Sequence, residues 1–235
     1  MGMIQVYPSN LRYSVDLGWL RSHLSFSFGE YFDEKNTGFS VMRVCNDDEV
    51  IGGKGFGPHP HSDMEIVTVV LRGAIKHEDN LGNIEVTSAG EVQRMSAGSG
   101  IIHAEYNASE TDELNFLQLW FMPSERGLNP SFETKRYDAQ GMQNQLLPVV
   151  APEGGEKVAA IHQDMTIYLS RLEPEKTLSF TQKEGRRTFL FVIEGTLFVN
   201  EQKLATRDSA RIEKETSLTL AAAEDEAFFM LIDLP

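Results

Sequence analysis

The chain has 235 residues, enough to bury a sizeable core as one large β-domain or two smaller domains. Its formal charge of −14 excludes the basic surface that nonspecific binding to nucleic acid or to an anionic membrane requires. A single cysteine, Cys45, excludes an internal disulfide framework and fits a reducing cytoplasm, and no apolar run approaches the ~20 residues of a membrane span.

The opening MGMIQVYPSNLRYSVDLGW lacks the basic-then-apolar pattern of a secretory signal. The stretch from Leu11 to His23 is the one place where a short turn of helix is expected. Beyond it, Gly and Asn/Asp clusters (CNDDEVIGGKGFG, HEDNLGN, SAGSG, FVNEQK) alternate with runs rich in Val, Ile, Phe and Thr, such as EIVTVVLRG, LNFLQLWF and AFFMLIDL. Short β-formers between turn signals predict an all-β sandwich or barrel.

The most informative residues lie in this β-rich half. His59-Pro60-His61 and His103-Ala104-Glu105 are two dyads of one shape, 44 residues apart from His59 to His103. On a strand, residues two apart point to one face, so each dyad aims two ligand atoms at one point. Two strands of one barrel then bring four donors onto one ion. Three imidazoles and a carboxylate suit a divalent transition metal (Fe, Ni, Cu, Zn, Co or Mn), and the lack of a thiolate argues against an iron–sulfur or Cys-rich zinc site. Four protein ligands on an octahedral ion leave two positions for water or substrate. The turn Ser96-Ala97-Gly98-Ser99-Gly100 lets the backbone bend sharply before the second dyad. Phe56, Met64, Met95 and Phe116 are near the dyads in sequence and are candidates for an apolar pocket wall, or for ordinary core. Tyr106 and Asn107 follow Glu105 as either second donors to the site or strand-end packing. Cys45 reads as a small core residue. His77 reads as a solvated turn residue, and His23 and His162 as structural.

The segment EIVTVVLRGAIKH, from Glu65, resembles FLFVIEGTLFVN, from Phe189: an apolar strand enters a glycine (Gly73, Gly195) and leaves as a second strand. GEVQRMSAGSGIIHAE is echoed by RDSARIEKETSLTLAAAEDE, and such duplication is read as two similar domains. The polar, Pro- and Gly-containing stretch Gln140 to Lys157 is the expected linker, which places an N-terminal barrel at 1–137 and a C-terminal barrel at 138–235. Aligning Gly73 with Gly195 sets Thr181 and Lys183 where His59 and His61 stand, and no histidine follows His162. Lysine, protonated at neutral pH, is a poor ligand, so one metal per chain is expected, in the N-terminal barrel.

The run GFGPHPHSDMEIVTVVLRGAIKHEDNLGN, followed by GEVQRMSAGSGIIHAEYN, resembles the pirin family of the cupin superfamily. SHLSFSFGEY, VMRVCNDD and NFLQLWFMP support the resemblance. It covers nearly the whole chain, dense from His23 to Pro123 and thinner to the terminal FFMLIDLP. It implies a bicupin fold of two antiparallel β-barrels packed together. The family's metal ligands fall on His59, His61, His103 and Glu105. Compact bacterial members of this kind resemble quercetin 2,3-dioxygenase, which opens the central ring of a flavonol with O2 and releases carbon monoxide. Asn80 stands in place of a usual serine and Val69 in place of a usual tyrosine, outside the ligand set.

The expectation is thus a monomeric, cytoplasmic metal-dependent dioxygenase acting on a quercetin-like flavonol and O2, with Glu105 as both ligand and general base. The alternative is a metal- or redox-sensing module that binds a regulatory protein partner, as animal pirins do. A sugar-phosphate isomerase is the weaker third reading, because Lys54, Arg72, Lys76 and Arg94 form no basic cluster near the dyads.

Overall fold

The computed structural model describes residues 2–235, and among these every long element is a β-strand. Two 3-10 turns, Ser9–Leu11 and Ala139–Met142, interrupt the strands. Among the described residues no helix is long and apolar enough to cross a membrane. The chain forms two compact units, and they do not divide at one point in the sequence. Residues 13–137 and 153–163 make one unit, while residues 2–12, 138–152 and 164–235 make the other. The stretch expected to be a linker is therefore structured, with Leu147–Ala151 a strand of the second unit.

In chain order the strands are β1 (Met3–Tyr7), β2 (Tyr13–Asp16), β3 (Leu20–Leu24), β4 (Met42–Val50), β5 (Gly55–His61), β6 (Glu65–Arg72), β7 (Ala74–Asp79), β8 (Ile84–Ser88), β9 (Glu91–Ser96), β10 (Ile101–Asn107), β11 (Leu114–Phe121) and β12 (Ser131–Arg136). They continue as β13 (Leu147–Ala151), β14 (Ala159–Ala160), β15 (Thr166–Leu172), β16 (Thr177–Thr181), β17 (Arg187–Glu194), β18 (Leu197–Val199), β19 (Gln202–Leu204), β20 (Ser209–Glu213), β21 (Ser217–Ala222) and β22 (Ala227–Leu234).

The first unit sets a larger sheet, β12-β9-β6-β11-β4-β3-β2, against a smaller one, β5-β10-β7-β8. One core cluster joins them: Val50, Val70, Leu114 and Phe116 of the larger sheet meet Ile75 of the smaller, with Phe56 packed against it. The second unit repeats the design. The order β1-β20-β17-β22-β15-β13 faces β16-β21-β18-β19, and the core contains Leu190, Val192, Phe229 and Leu231 from one sheet and Leu197, Leu218 and Leu220 from the other. Two antiparallel sheets closing on one core is the jelly-roll arrangement of cupins. The duplication read from sequence is visible in detail. Gly73 and Gly195 both turn at positive φ, +79° and +81°, and the smaller sheets share one strand order.

One expected element is replaced. Leu11 to His23 holds no α-helix; it holds the end of a 3-10 turn and the hairpin β2–β3. Gly18 sits at φ +80° with its N–H on Asp16 Oδ1 at 2.8 Å, and Leu17 N–H bonds Leu20 O at 2.9 Å. A left-handed glycine between two apolar residues reverses the chain and ends any helical turn there.

Candidate metal centre

Strands β5 and β10 are antiparallel neighbours with His59 opposite His103 and His61 opposite Ile101. Residues opposite one another share a sheet face. On the other side of β10, β7 sets Asp79 opposite His103 and His77 opposite Glu105. Period two on three adjacent strands thus places His59, His61, His103, Glu105, His77 and Asp79 on one face. A register shift falls between His103 and Glu105, where two steps along β10 face three along β5, from His59 to Phe56. Gly57 and Pro58 absorb the extra residue; Pro58 has no N–H to lose from the ladder. The turns beyond the dyads are tied together. Asp63 N–H bonds Gly98 O, Ala97 N–H bonds Met64 O and Ser99 N–H bonds Leu128 O, all at 2.8–2.9 Å.

The three histidine rings close on one another. Centroids are 4.4 Å apart for His59 and His103, 4.9 Å for His59 and His61, and 5.1 Å for His61 and His103. One nitrogen of each lies within 4.8 Å of the others. The tautomers are set locally. His59 Nδ1 lies 2.8 Å from Gly57 O; a carbonyl only accepts, so Nδ1 carries the proton and Nε2 keeps its lone pair. The Nε2 atoms of His61 and His103 are buried without a hydrogen-bond partner. Leaving such an atom unsatisfied costs about 1–3 kcal/mol. Converging unpaired imidazole nitrogens are the donor set of a divalent transition metal, and this group is able to hold one.

Glu105 lies one step deeper. It groups with His103 and His77 within 4.8 Å, whereas His59 and His61 group with His103 alone. Its Oε1 accepts from Gln93 Nε2 at 2.7 Å and its Oε2 from Gln118 Nε2 at 2.8 Å. Thr68 braces both amides, donating to Gln118 Oε1 at 2.9 Å and accepting from Gln93 at 3.2 Å. Burial pushes the Glu105 carboxyl up to about 7, against the two amide bonds that favour its charge. Asp48 is likewise pushed up to about 7 by burial, opposed by a bond from Ser22 Oγ and reinforced by the nearby Asp47 and Glu105 charges. Burial, and the neighbouring histidines with it, lowers His61 to about 4 and His103 to about 3. At neutral pH both rings are uncharged and ready to ligate.

His77 corrects the sequence reading. It is fully buried in β7, its ring stacked on Phe132 at 3.9 Å, and is not a solvated turn residue. Burial lowers its pKa despite Asp79 at 2.9 Å. Met64 and Met95 lie in a core cluster with Trp120, Phe132 and Ile101, and the His61 ring meets Trp120 edge-on at 4.7 Å. Phe56 and Phe116 belong to the other core cluster. Asn107 serves the following loop, donating to Val50 O and Asp112 O and accepting from Ser109 N–H. Cys45 is buried core. His23 bonds Ser14 Oγ, and His162 bonds Ser96 Oγ. A cleft of about 430 Å³ opens beside His61, lined in part by Asn80, Ile101 and Ile102.

In the second unit three of the four corresponding places are apolar, and Gln182 stands where His61 does. Counting from Gly73 and Gly195, the pairs Ile75–Asn107 and Leu197–Ala222 match, so Leu218 and Leu220 stand where His103 and Glu105 do. Phe180, opposite Leu218, stands where His59 does. The sequence alignment onto Thr181 and Lys183 is one residue out, because the β5 bulge has no partner in β16. The absence of imidazole there is unchanged.

Residues 8–121 match the family model described as Pirin, and residues 148–234 match that described as Quercetinase C-terminal cupin domain. The chain is 42% identical over 234 residues to a quercetin 2,3-dioxygenase of Escherichia coli K12, covering 99% of each. It is 38% identical to a pirin-like protein of Caulobacter vibrioides, covering 98% of this chain and 99% of that one. Among solved structures, YhhW from Escherichia coli superposes with a TM-score of 0.95 at 39% identity, covering 99% and 98% of the two chains. The same bacterial pirin in complex with nickel(II) gives 0.93, covering 99% of each.

Proposed function

The chain belongs to the pirin family, and from that premise we propose that it is a metal-dependent dioxygenase that opens the central ring of a quercetin-like flavonol with O2. The observation that carries the reading is the convergence of the His59, His61 and His103 lone pairs beside the buried carboxyl of Glu105. The named activity of the Escherichia coli relative and the nickel(II) bound to YhhW support it.

In this reading His59, His61 and His103 hold one divalent ion, with Glu105 as the fourth ligand. Such an ion supplies Lewis acidity, lowering the pKa of a hydroxyl that it binds. Glu105 accepts the proton of the flavonol 3-hydroxyl. Burial raises this carboxyl in the metal-free fold, and a bound divalent ion would lower it again, so that Glu105 would stand ionised and able to accept that proton at neutral pH. Gln93 and Gln118 hold the carboxylate oxygens in place. The ring of Trp120 against His61 and that of Phe132 against His77 give the site apolar neighbours, which suits a flat aromatic substrate. The test is substrate structure: metal-loaded protein should consume quercetin and leave a flavone lacking the 3-hydroxyl unchanged. Equal turnover of both would remove the proposed proton transfer.

A further inference from the structure

Behind the histidine cluster lies a buried pair that its ligand set does not use. Asp79 accepts four hydrogen bonds: at Oδ1 from the N–H groups of Leu81 (2.9 Å) and Asn83 (3.1 Å), at Oδ2 from Asn83 Nδ2 (2.7 Å) and His77 Nε2 (2.9 Å). Four donors on two oxygens fill the carboxylate's acceptor sites and leave no place for a proton of its own. His77 Nε2 is therefore the protonated nitrogen, and Nδ1 of the neutral ring is an acceptor. That Nδ1 faces Nδ1 of His103 at 3.4 Å, a long contact in which His103 must be the donor. With its proton on Nδ1, His103 keeps its lone pair on Nε2, the atom found buried and unpartnered in the cluster. Phe132, stacked on His77 at 3.9 Å, fixes the ring plane.

We infer that Asp79 and His77 are positioning residues: a carboxylate–imidazole relay that sets the tautomer of His103 and points its Nε2 into the cluster. The inference rests on the reading that the cluster holds a metal. It deepens that reading by assigning a role to two residues outside the ligand set. Ligating histidines are oriented by what their other nitrogen bonds, and here that partner is a second histidine with its own carboxylate.

Long-range proton–nitrogen NMR spectra of the metal-free full-length chain read the tautomers directly. The expected result is His77 protonated on Nε2 and His103 on Nδ1. A His103 found mainly as the Nε2–H form would overturn the relay. Adding zinc(II) should shift His103 Nε2; a coordination shift at His77 Nδ1 instead would make His77 a ligand and also overturn it. In His77→Phe, which keeps the ring stacked on Phe132 but removes the acceptor, nickel(II) affinity should fall by roughly 10–100-fold. His77→Asn, whose Oδ1 stands near the lost Nδ1, should recover most of it. Unchanged affinity in a folded His77→Phe protein, or no recovery in His77→Asn, refutes the relay. The tautomer spectrum needs no metal. A parent chain that bound no nickel(II) would refute the metal reading, while the spectrum still decided this one.

Discussion

Glu105→Gln tests the electrostatics of the site in the absence of metal. The carboxyl is raised from 4.5 to about 7 in the fold, so the folded chain keeps this proton after the unfolded chain has lost it. Its contribution to stability is complete below pH 4.5, falls as pH rises through 7, and is lost above that. A shift of this size, worked between pH 5 and pH 8, is roughly 2–3 kcal/mol. Glutamine has no proton to lose. It does disturb the bonds from Gln93 and Gln118, but that cost is the same at both pH values and cancels. Urea unfolding of metal-free parent and variant at pH 5 and pH 8 gives four stabilities. The parent should lose roughly 2–3 kcal/mol more than the variant over that interval. Parallel behaviour of the two proteins would mean that Glu105 is ionised like an exposed carboxyl, and that burial does not hold its proton in the metal-free fold.

Three further outcomes are expected. Alanine at His59, His61 or His103 should weaken nickel(II) binding while far-UV circular dichroism stays that of the parent, because the fold rests on the apolar clusters; full occupancy of His103→Ala at low nickel(II) would refute the ligand set. Elemental analysis after reconstitution should give one metal per chain, since Leu218, Leu220 and Phe180 fill the matching place in the second unit; two tightly bound ions would contradict this. Gly98→Ala should destabilise the chain by roughly 1–3 kcal/mol, because Gly98 lies at φ +48° and a Cβ there would stand 2.0 Å from Leu128 O; a thermal unfolding midpoint equal to the parent's would refute the constraint.

That the four dyad residues share one sheet face was legible in the sequence, because a strand repeats every two residues and the dyads are spaced by two. The duplication was legible because Gly73 and Gly195 make the same left-handed turn. What lay deeper was not. In Ala74–Asp79 the outward Lys76 and Glu78 give the strand a polar, solvated look, while His77 and Asp79 point inward and satisfy each other. Gln93 and Gln118 are buried polar residues on Glu91–Ser96 and Leu114–Phe121. The pattern EVQRM and NFLQLWF marks them only once the facing carboxylate is known. Trp120 and Phe132 reach the site from strands distant in sequence. The hairpin at Tyr13–Leu24 was hidden by apolar residues whose spacing suits a helical turn as well as a strand, and Gly18 decides between them.

Metal-dependent ring opening is the activity that the histidine cluster is proposed to support. It is tested most directly by following quercetin absorbance and oxygen uptake with metal-loaded and metal-free protein side by side. The loaded protein should turn over quercetin, taking up O2 as the flavonol absorbance falls and releasing carbon monoxide, and the metal-free protein should not. If the loaded protein is no faster than the metal-free one, the dioxygenase reading is wrong.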